Sequence, residues 1–467
     1  MSVIDAFLSN LPEVTGPLQK KLSFNEKLKW TIISLVSFFL LSVIPLYGLG
    51  PNNLANFEQL SIILGASFGS IMSLGIGPIV TASIVLQLLN GSGLVKFDTS
   101  SKEGRMRFQG VQKLLSIFFI IFEAAIYVFM GGLAPKAELA GSQFFFMQWI
   151  LIGQLVVGGL IVLYLDEVMQ KWGFGSGVSL FIAANVSMEV FVRALSPLTT
   201  TGVWAFGSGQ APIGALWVFL LSLSAGDPTG AIRSLSMIIA TILVFMLATY
   251  FQSMKVEIPL SFGRIRGHGI RWPLHFLYTS NIPVILIAAL LANVQLVAKL
   301  LENWGRPILG TFSGSVPASG FIKWINAPNI LDLIITNSIS WFNLWQALIY
   351  LLFFVVGAVV FGLFWMQTAG MDAESQAKKI MDSGLQIPGF RRDQRVLEAI
   401  LRRYILPLTV MGAIAVGILA SLADLSGALG RGTGILLAVM IIYRLYEDIA
   451  NQHAMDMYPG LRKIMGK

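Results

Sequence analysis

The sequence contains no cysteine, which excludes disulfides, Fe–S clusters, thiolate zinc sites and a cysteine nucleophile. Histidine is almost as scarce: His268, His275 and His453 are the only three, scattered with no ligand-like pairing. No Gly-Lys-Ser or Gly-Lys-Thr occurs, so the phosphate loop of nucleotide hydrolases is missing. The Gly-x-Gly spacing in Gly173–Gly177 follows no strand and lies in apolar surroundings, unlike a dinucleotide site. Neither a metal nor an organic cofactor is expected. Charge is also thin: Asp, Glu, Lys and Arg make up 12% of the chain, against about 25% in a soluble average. Hydrophobic residues reach 55% and mean hydropathy is +0.75. Disorder needs the opposite bias. This composition belongs to an integral membrane protein.

A bilayer core of about 30 Å needs about 20 apolar residues per helix. Ten segments qualify as crossings: 28–48, 76–91, 113–134, 144–165, 174–195, 232–254, 279–300, 341–367, 404–424 and 433–450. The second is short. The fifth is the most polar, with Asn185, Glu189 and Arg193 on one face. The run 215–223 is too short to span and reads as a loop on the outer surface. Residues 1–27 lack the apolar core of a cleavable signal. Leu11, Val14, Leu18 and Leu22 recur there at helical spacing beside Lys20 and Lys21, as in an amphipathic segment lying along the interface. Ser23 and Glu26 have the spacing of a capping box and start the first crossing.

With ten crossings both termini share one side. Of the 32 Lys and Arg, 25 fall on that side and 7 on the other. The positive-inside rule then places both termini in the cytoplasm and the chain in the cell membrane as a multi-pass protein. Five crossings (28–195) precede the outer loop 196–231 and five (232–450) follow it, before a cytoplasmic tail, 451–467. An odd number per half makes two similar halves inverted relative to one another. The second crossing of each half is interrupted alike, by Pro78 and by Pro283, and paired interruptions point to a site between inverted repeats. Ordinary proline kinks remain the alternative. Residues 57–68 are helix-like but too short to cross, so they should re-enter from outside, which implies a cavity around them.

The stretches Gly75–Leu89, Tyr164–Val168, Gly175–Asn185, Val256–Leu260, Ser280–Leu286, Arg403–Met411 and Gly427–Leu437 together resemble the SecY family, in its archaeal and eukaryotic branch. Members are channel subunits of the Sec protein translocon. The resemblance runs from about Glu26 to Glu447. It implies an all-α membrane protein of ten transmembrane helices in two inverted five-helix halves around a central pore with a re-entrant plug. Polypeptides would cross the pore or leave sideways into lipid. On this resemblance Phe57, Leu60, Ile62, Ile63, Leu64 and Phe68 belong to the plug, and Ile76, Val80, Val178, Ile182, Ile285 and Leu437 form the pore ring. Val178 is smaller than the isoleucine that can occur there. Ile76/Val80 and Val178/Ile182 are i, i+4 pairs on single helix faces, and branched aliphatics can seal by dewetting. By spacing alone the same residues would read as core packing.

A side exit between helices two and three and helices seven and eight is also implied. Thr81, Gln87 and Asn293 are its candidate lateral-gate residues, with ordinary helix-packing polar groups as the alternative. Two large basic loops, 257–273 and 368–403, carry Arg264, Arg266, Arg391 and Arg392. The resemblance makes these ribosome-docking residues, contacting rRNA phosphate, although positive-inside bias alone would explain much of the charge. Expected partners are SecE, Sec-beta, the ribosome, signal peptides, nascent polypeptides and lipid. No enzymatic activity is expected. The rival function is a secondary transporter with inverted repeats, but coupled transport usually uses midplane ionisable groups. Only Glu123 is clearly mid-helix, with Glu189 and Arg193 reading as an outer-end ion pair. An intramembrane protease would need a Gly-x-Ser-Gly motif or paired aspartates, which the sequence lacks.

Overall fold

The computed structural model describes residues 12–18, 22–52, 65–91, 93–95, 97, 102–136, 138, 141–199, 202–207, 209–262, 269–279, 282–314, 316–382, 385–386 and 393–457. The long helices in chain order are α1 (Phe24–Val43), α2 (Gly77–Gly91), α3 (Lys102–Phe129), α4 (Ser142–Trp172) and α5 (Gly177–Leu195). A short α6 (Ala215–Ala225) leads to α7 (Pro228–Ser253) and α8 (Ile282–Asn303). Two small turns of helix, α9 (Phe321–Trp324) and α10 (Ile330–Ile335), precede α11 (Trp341–Thr368) and α12 (Ala373–Asp382), and α13 (Gln394–Leu425) and α14 (Gly432–Met457) follow. Among the described residues seven helices are long and apolar enough to cross a membrane: α3, α4, α5, α7, α8, α11 and α13.

Local chemistry explains most of the helix starts. Ser23 caps α1 by accepting from Glu26 N at 3.3 Å. Asp227 caps α7 with Pro228 in the first turn, where a missing donor costs nothing. Asp393 caps α13 by accepting from Arg395 N. Both α3 and α13 begin about ten residues ahead of their apolar runs. Hydropathy marks only the lipid-facing part of a helix, whereas backbone hydrogen bonding continues through charged turns in water. The run 215–223, expected as a loop, is helical, because Gly226 at φ 72° closes it with a left-handed cap.

Other expectations change. The N-terminal segment does not follow its helical spacing: residues 12–18 have no regular secondary structure, with Pro12 and Pro17 bracketing Gly16. They form a strap held by α3 and α4. Val14 N donates to Glu167 Oε2 (3.1 Å), Lys171 Nζ to Val14 O (2.6 Å) and Trp172 Nε1 to Thr15 O (2.9 Å). Lys113 pairs with Glu167 beneath them.

The fold is not purely helical either. The basic loop after α7 forms an antiparallel hairpin of β3 (Lys255–Phe262) and β4 (Gly269–His275), after the short pair β1 (Leu49–Asn52) and β2 (Leu133–Pro135). Val256, Ile258 and Leu260 alternate with Glu257, Pro259 and Ser261, the period of two of a strand. Further along, β5 (Phe312–Ser313) pairs with β6 (Val316–Pro317), and β7 (Leu385–Gln386) joins the edge of β3.

One apolar core runs through both halves of the bundle, and a smaller one gathers Leu274, Ile380, Leu401 and Ile405 where α12 and α13 meet the hairpin. Between α1 and α2 the described residues 65–76 are turns rather than helix, yet Met72 and Leu74 are fully buried. Irregular backbone at such depth needs internal partners, and serines supply them. Ser73 Oγ accepts from Gly69 N (2.9 Å), Ser70 Oγ accepts from Met72 N (3.1 Å), and Ser67 Oγ donates to Ser42 O (3.1 Å). A Cβ on Gly158 of α4 would come within 2.1 Å of Ile71 O, so only glycine lets this segment lie against the helix.

Candidate functional site

The prolines that read as interruptions mark helix beginnings: Pro78 and Pro283 are the second residues of α2 and α8. In that position proline needs no donor and its fixed φ suits the helix. Val80 and Ile285 each lie two residues beyond these prolines. Both line a cavity of about 1160 Å³ enclosed by the two halves, as does Val178 at the start of α5. The walls of this cavity include Arg105 of α3, Gln252 near the end of α7, His275 of β4 and Arg444 of α14. Tyr278 lines it too and donates to Met371 O at 2.7 Å. Burial, then the nearby Asp372 carboxylate, holds its phenol well above the ordinary value.

The other three ring candidates, Ile76, Ile182 and Leu437, are 1%, 1% and 0% exposed and do not line the cavity. α5 and α14 pack antiparallel, with Val186 against Gly434 and Glu189 against Gly430. That register brings Ile182 opposite Leu437. Gly65 lies against Ile76, since a Cβ there would sit 3.6 Å from its side chain. Glu189 and Arg193 form the expected ion pair at 2.6 Å.

A polar bridge crosses the seam between the halves. Asn293 Nδ2 of α8 donates to Thr81 Oγ1 of α2 at 2.8 Å. The single hydroxyl proton of Thr81 is shared between Gly77 O (2.8 Å) and Glu123 Oε1 of α3 (3.1 Å). Three helices therefore meet at one hydroxyl. Thr81 and Asn293 are two of the expected gate residues, whereas Glu123 is only an isolated mid-helix carboxylate in the sequence. No motif links Glu123 to Thr81, because the contact joins neighbouring helices 42 residues apart. Gln87 differs: its Nε2 donates to Ser83 Oγ within α2 at 3.0 Å, and its buried Oε1 has no partner among the described residues.

Of the plug candidates, Phe57, Leu60, Ile62, Ile63 and Leu64 lie outside the described residues. Phe68 is described, with its ring 6.5 Å from Tyr127. Residues 69–71 are tied to the end of α1 by Leu46 N to Gly69 O (2.9 Å) and Ile71 N to Ile44 O (3.0 Å). Arg264, Arg266, Arg391 and Arg392 also lie outside the described residues. Their two loops are nevertheless joined, because Ser261 and Phe262 of β3 pair with Gln386 and Leu385 of β7.

Comparison with known proteins adds independent evidence. The sequence profile of the SecY family matches residues 70–446. A protein translocase subunit SecY of Methanothermobacter thermautotrophicus is 45% identical over 469 residues, covering 99% of this chain and 98% of the relative. A solved structure described as showing that the plug domain of the SecY protein stabilizes the closed state of the translocation channel and maintains a membrane seal is 41% identical. It superposes with a TM-score of 0.80 over 97% of this chain and 98% of its own. The channel in a canine ribosome-channel complex from the endoplasmic reticulum is 40% identical, with a TM-score of 0.78 and coverage of 97% and 98%.

Proposed function

The chain belongs to the SecY family, and from that premise we propose that it is the central channel subunit of a protein translocation machinery. It passes unfolded secretory polypeptides across the membrane and releases membrane-protein segments sideways into lipid. Ten helices cross: α1 to α5 in one half, and α7, α8, α11, α13 and α14 in the inverted other. Both termini and the large cavity face the cytoplasm. The charge distribution supports this orientation.

Ile76, Val80, Val178, Ile182, Ile285 and Leu437 form the constriction. The cavity serves as the entry vestibule, with Val80, Val178 and Ile285 at its floor. Aliphatic side chains exclude water and ions by dewetting, yet offer a passing chain no hydrogen bonds that would hold it. Residues 57–68 act as the plug, and the placement of Gly65 against Ile76 supports this. Arg264, Arg266, Arg391 and Arg392 receive the ribosome as one surface, a reading supported by the β3–β7 pairing. Single-span SecE and Sec-beta subunits complete the complex.

The observation that carries the proposal is the Asn293–Thr81–Glu123 bridge across the one seam through which α2 and α3 could part from α8. The transporter alternative is not favoured, because the sole mid-helix carboxylate is engaged in that seam. A cysteine at Ile182, unique in this chain, should cross-link to a stalled secretory polypeptide in reconstituted vesicles. Absence of that adduct, together with substrate-dependent uptake of a small solute, would return the transporter reading.

A further inference from the structure

The two halves share a device that no sequence motif announces. Asp166, in the last turns of α4, is buried, and its Oδ1 accepts from the backbone N of Val178 at 2.9 Å. Val178 is the second residue of α5. Asp424, in the last turn of α13, is half-buried, and its Oδ1 accepts from the backbone N of Thr433 at 2.8 Å. Thr433 is the second residue of α14. In each case a carboxylate on the fourth long helix of a half holds the first turn of the fifth.

The correspondence continues in detail. The second oxygen of each carboxylate is taken by a side-chain donor: Gln170 Nε2 reaches Asp166 at 2.7 Å, and the Tyr350 hydroxyl reaches Asp424. The first residue of each held helix is a glycine that the preceding helix requires. A Cβ on Gly177 would sit 2.8 Å from the Cα of Asp166, and one on Gly432 would sit 2.1 Å from the carbonyl carbon of Ala423. Four residues beyond each held amide, one helical turn on, come Ile182 and Leu437. These are the two side chains that the antiparallel register of α5 and α14 sets opposite each other.

We infer that Asp166 and Asp424 are a matched pair of positioning residues that fix the axial register of the two pore helices, and with it the meeting of Ile182 and Leu437. The inference rests on the pore-ring reading of those two residues. The physical case is one of leverage. A helix whose N-terminal amide is tied to a carboxylate of the preceding helix cannot slide along its axis without breaking that bond and leaving the amide and the oxygen that accepts from it unpaired. A slide of one residue moves a side chain by about 1.5 Å and turns it by about 100°. That is enough to take an aliphatic side chain out of a seal. Because the halves are inverted, the anchors sit at opposite ends of the bundle and oppose drift of the two helices from opposite sides.

The test uses the full-length chain in proteoliposomes and two readouts. A cysteine pair at Ile182 and Leu437, with no background thiol in this chain, reports helix register by oxidative cross-linking. Resting ion conductance, measured without the cysteines, reports the seal. Asp166→Ala and Asp424→Ala should each lower cross-linking several-fold and raise conductance several-fold. Asp→Asn should restore both, since its carbonyl oxygen still accepts from the helix amide. Leu401→Ala, in the separate core beneath α12, provides a comparable loss of stability and should leave both readouts unchanged.

Alanine variants that lose thermal stability but keep full cross-linking would overturn the inference and leave the aspartates as packing groups. Should an alanine variant fail to accumulate, Asp→Glu carries the test. It holds the acceptor one methylene further out, so an unaltered cross-linking yield would be equally fatal. Ile182→Gly separates the two levels. If it does not leak, the ring reading fails, while cross-linking still decides whether the aspartates set register.

Discussion

A single hydroxyl organises the seam. Thr81 accepts from Asn293 and faces Glu123, so parting α8 from α2 breaks one interhelical hydrogen bond directly. Such bonds contribute about 0.6–2 kcal/mol within membranes. Asn293→Ala should therefore shift the closed–open balance toward opening by about 3- to 30-fold. The readout is the hydrophobicity that a graded series of signal segments needs for membrane insertion, and the threshold should fall. An unchanged threshold would reduce the bridge to ordinary helix packing. Gln87 offers a contrast, because its Nε2 donates to Ser83 within α2 and not across the seam. Gln87→Leu should leave the threshold where it was.

Residues 65–76 are anchored by serine hydroxyls and by backbone bonds to residues 44 and 46. These bonds hold them to the end of α1 and the chain just after it without involving residues 57–64. Deleting 57–64 while sparing Ser67 should leave thermal unfolding nearly unchanged and raise resting ion leak in planar bilayers. A deletion that unfolds the chain, or one that leaves conductance unaltered, would make this segment ordinary outer-loop structure. The strap of residues 12–18 is an element of another kind. It borrows its hydrogen bonds from α3 and α4, where Asp166 and Glu167 are adjacent and face opposite tasks. Asp166 holds α5, and Glu167 holds the strap and Lys113.

For the whole molecule, orientation and docking can be read in one experiment. A cysteine at Gln394, the first residue of α13, should label from the cytoplasmic side, and one at Gly314 from the outside. Bound ribosomes should protect the Gln394 probe, and rising salt should remove that protection as phosphate contacts are lost. Reversed labelling would sink the ten-helix orientation. Labelling indifferent to ribosomes would assign the arginines of the 368–403 loop to topology alone.

Much of this architecture was legible in the sequence because it follows from one-dimensional quantities. Scarcity of charge made the chain a membrane protein, and the length of each apolar run located the helices to within a few residues at most ends. Ser23 marks a helix start through chemistry confined to one turn, which needs no tertiary context, whereas Pro78 and Pro283, which read as interruptions, lie at helix starts. What the sequence could not decide was which residues meet. Glu123 reaches Thr81 only because α2 and α3 pack side by side, and Val186 meets Gly434 only because α5 and α14 pack antiparallel. The hairpin was hidden beneath its charge, since a basic loop and a basic β-ribbon have the same composition. The strap defeated its helical spacing because prolines removed the helix while distant side chains supplied new partners. Asp166 and Asp424 were silent for the same reason: an aspartate near a helix end looks like any other until the fold places the next helix's first amide upon it.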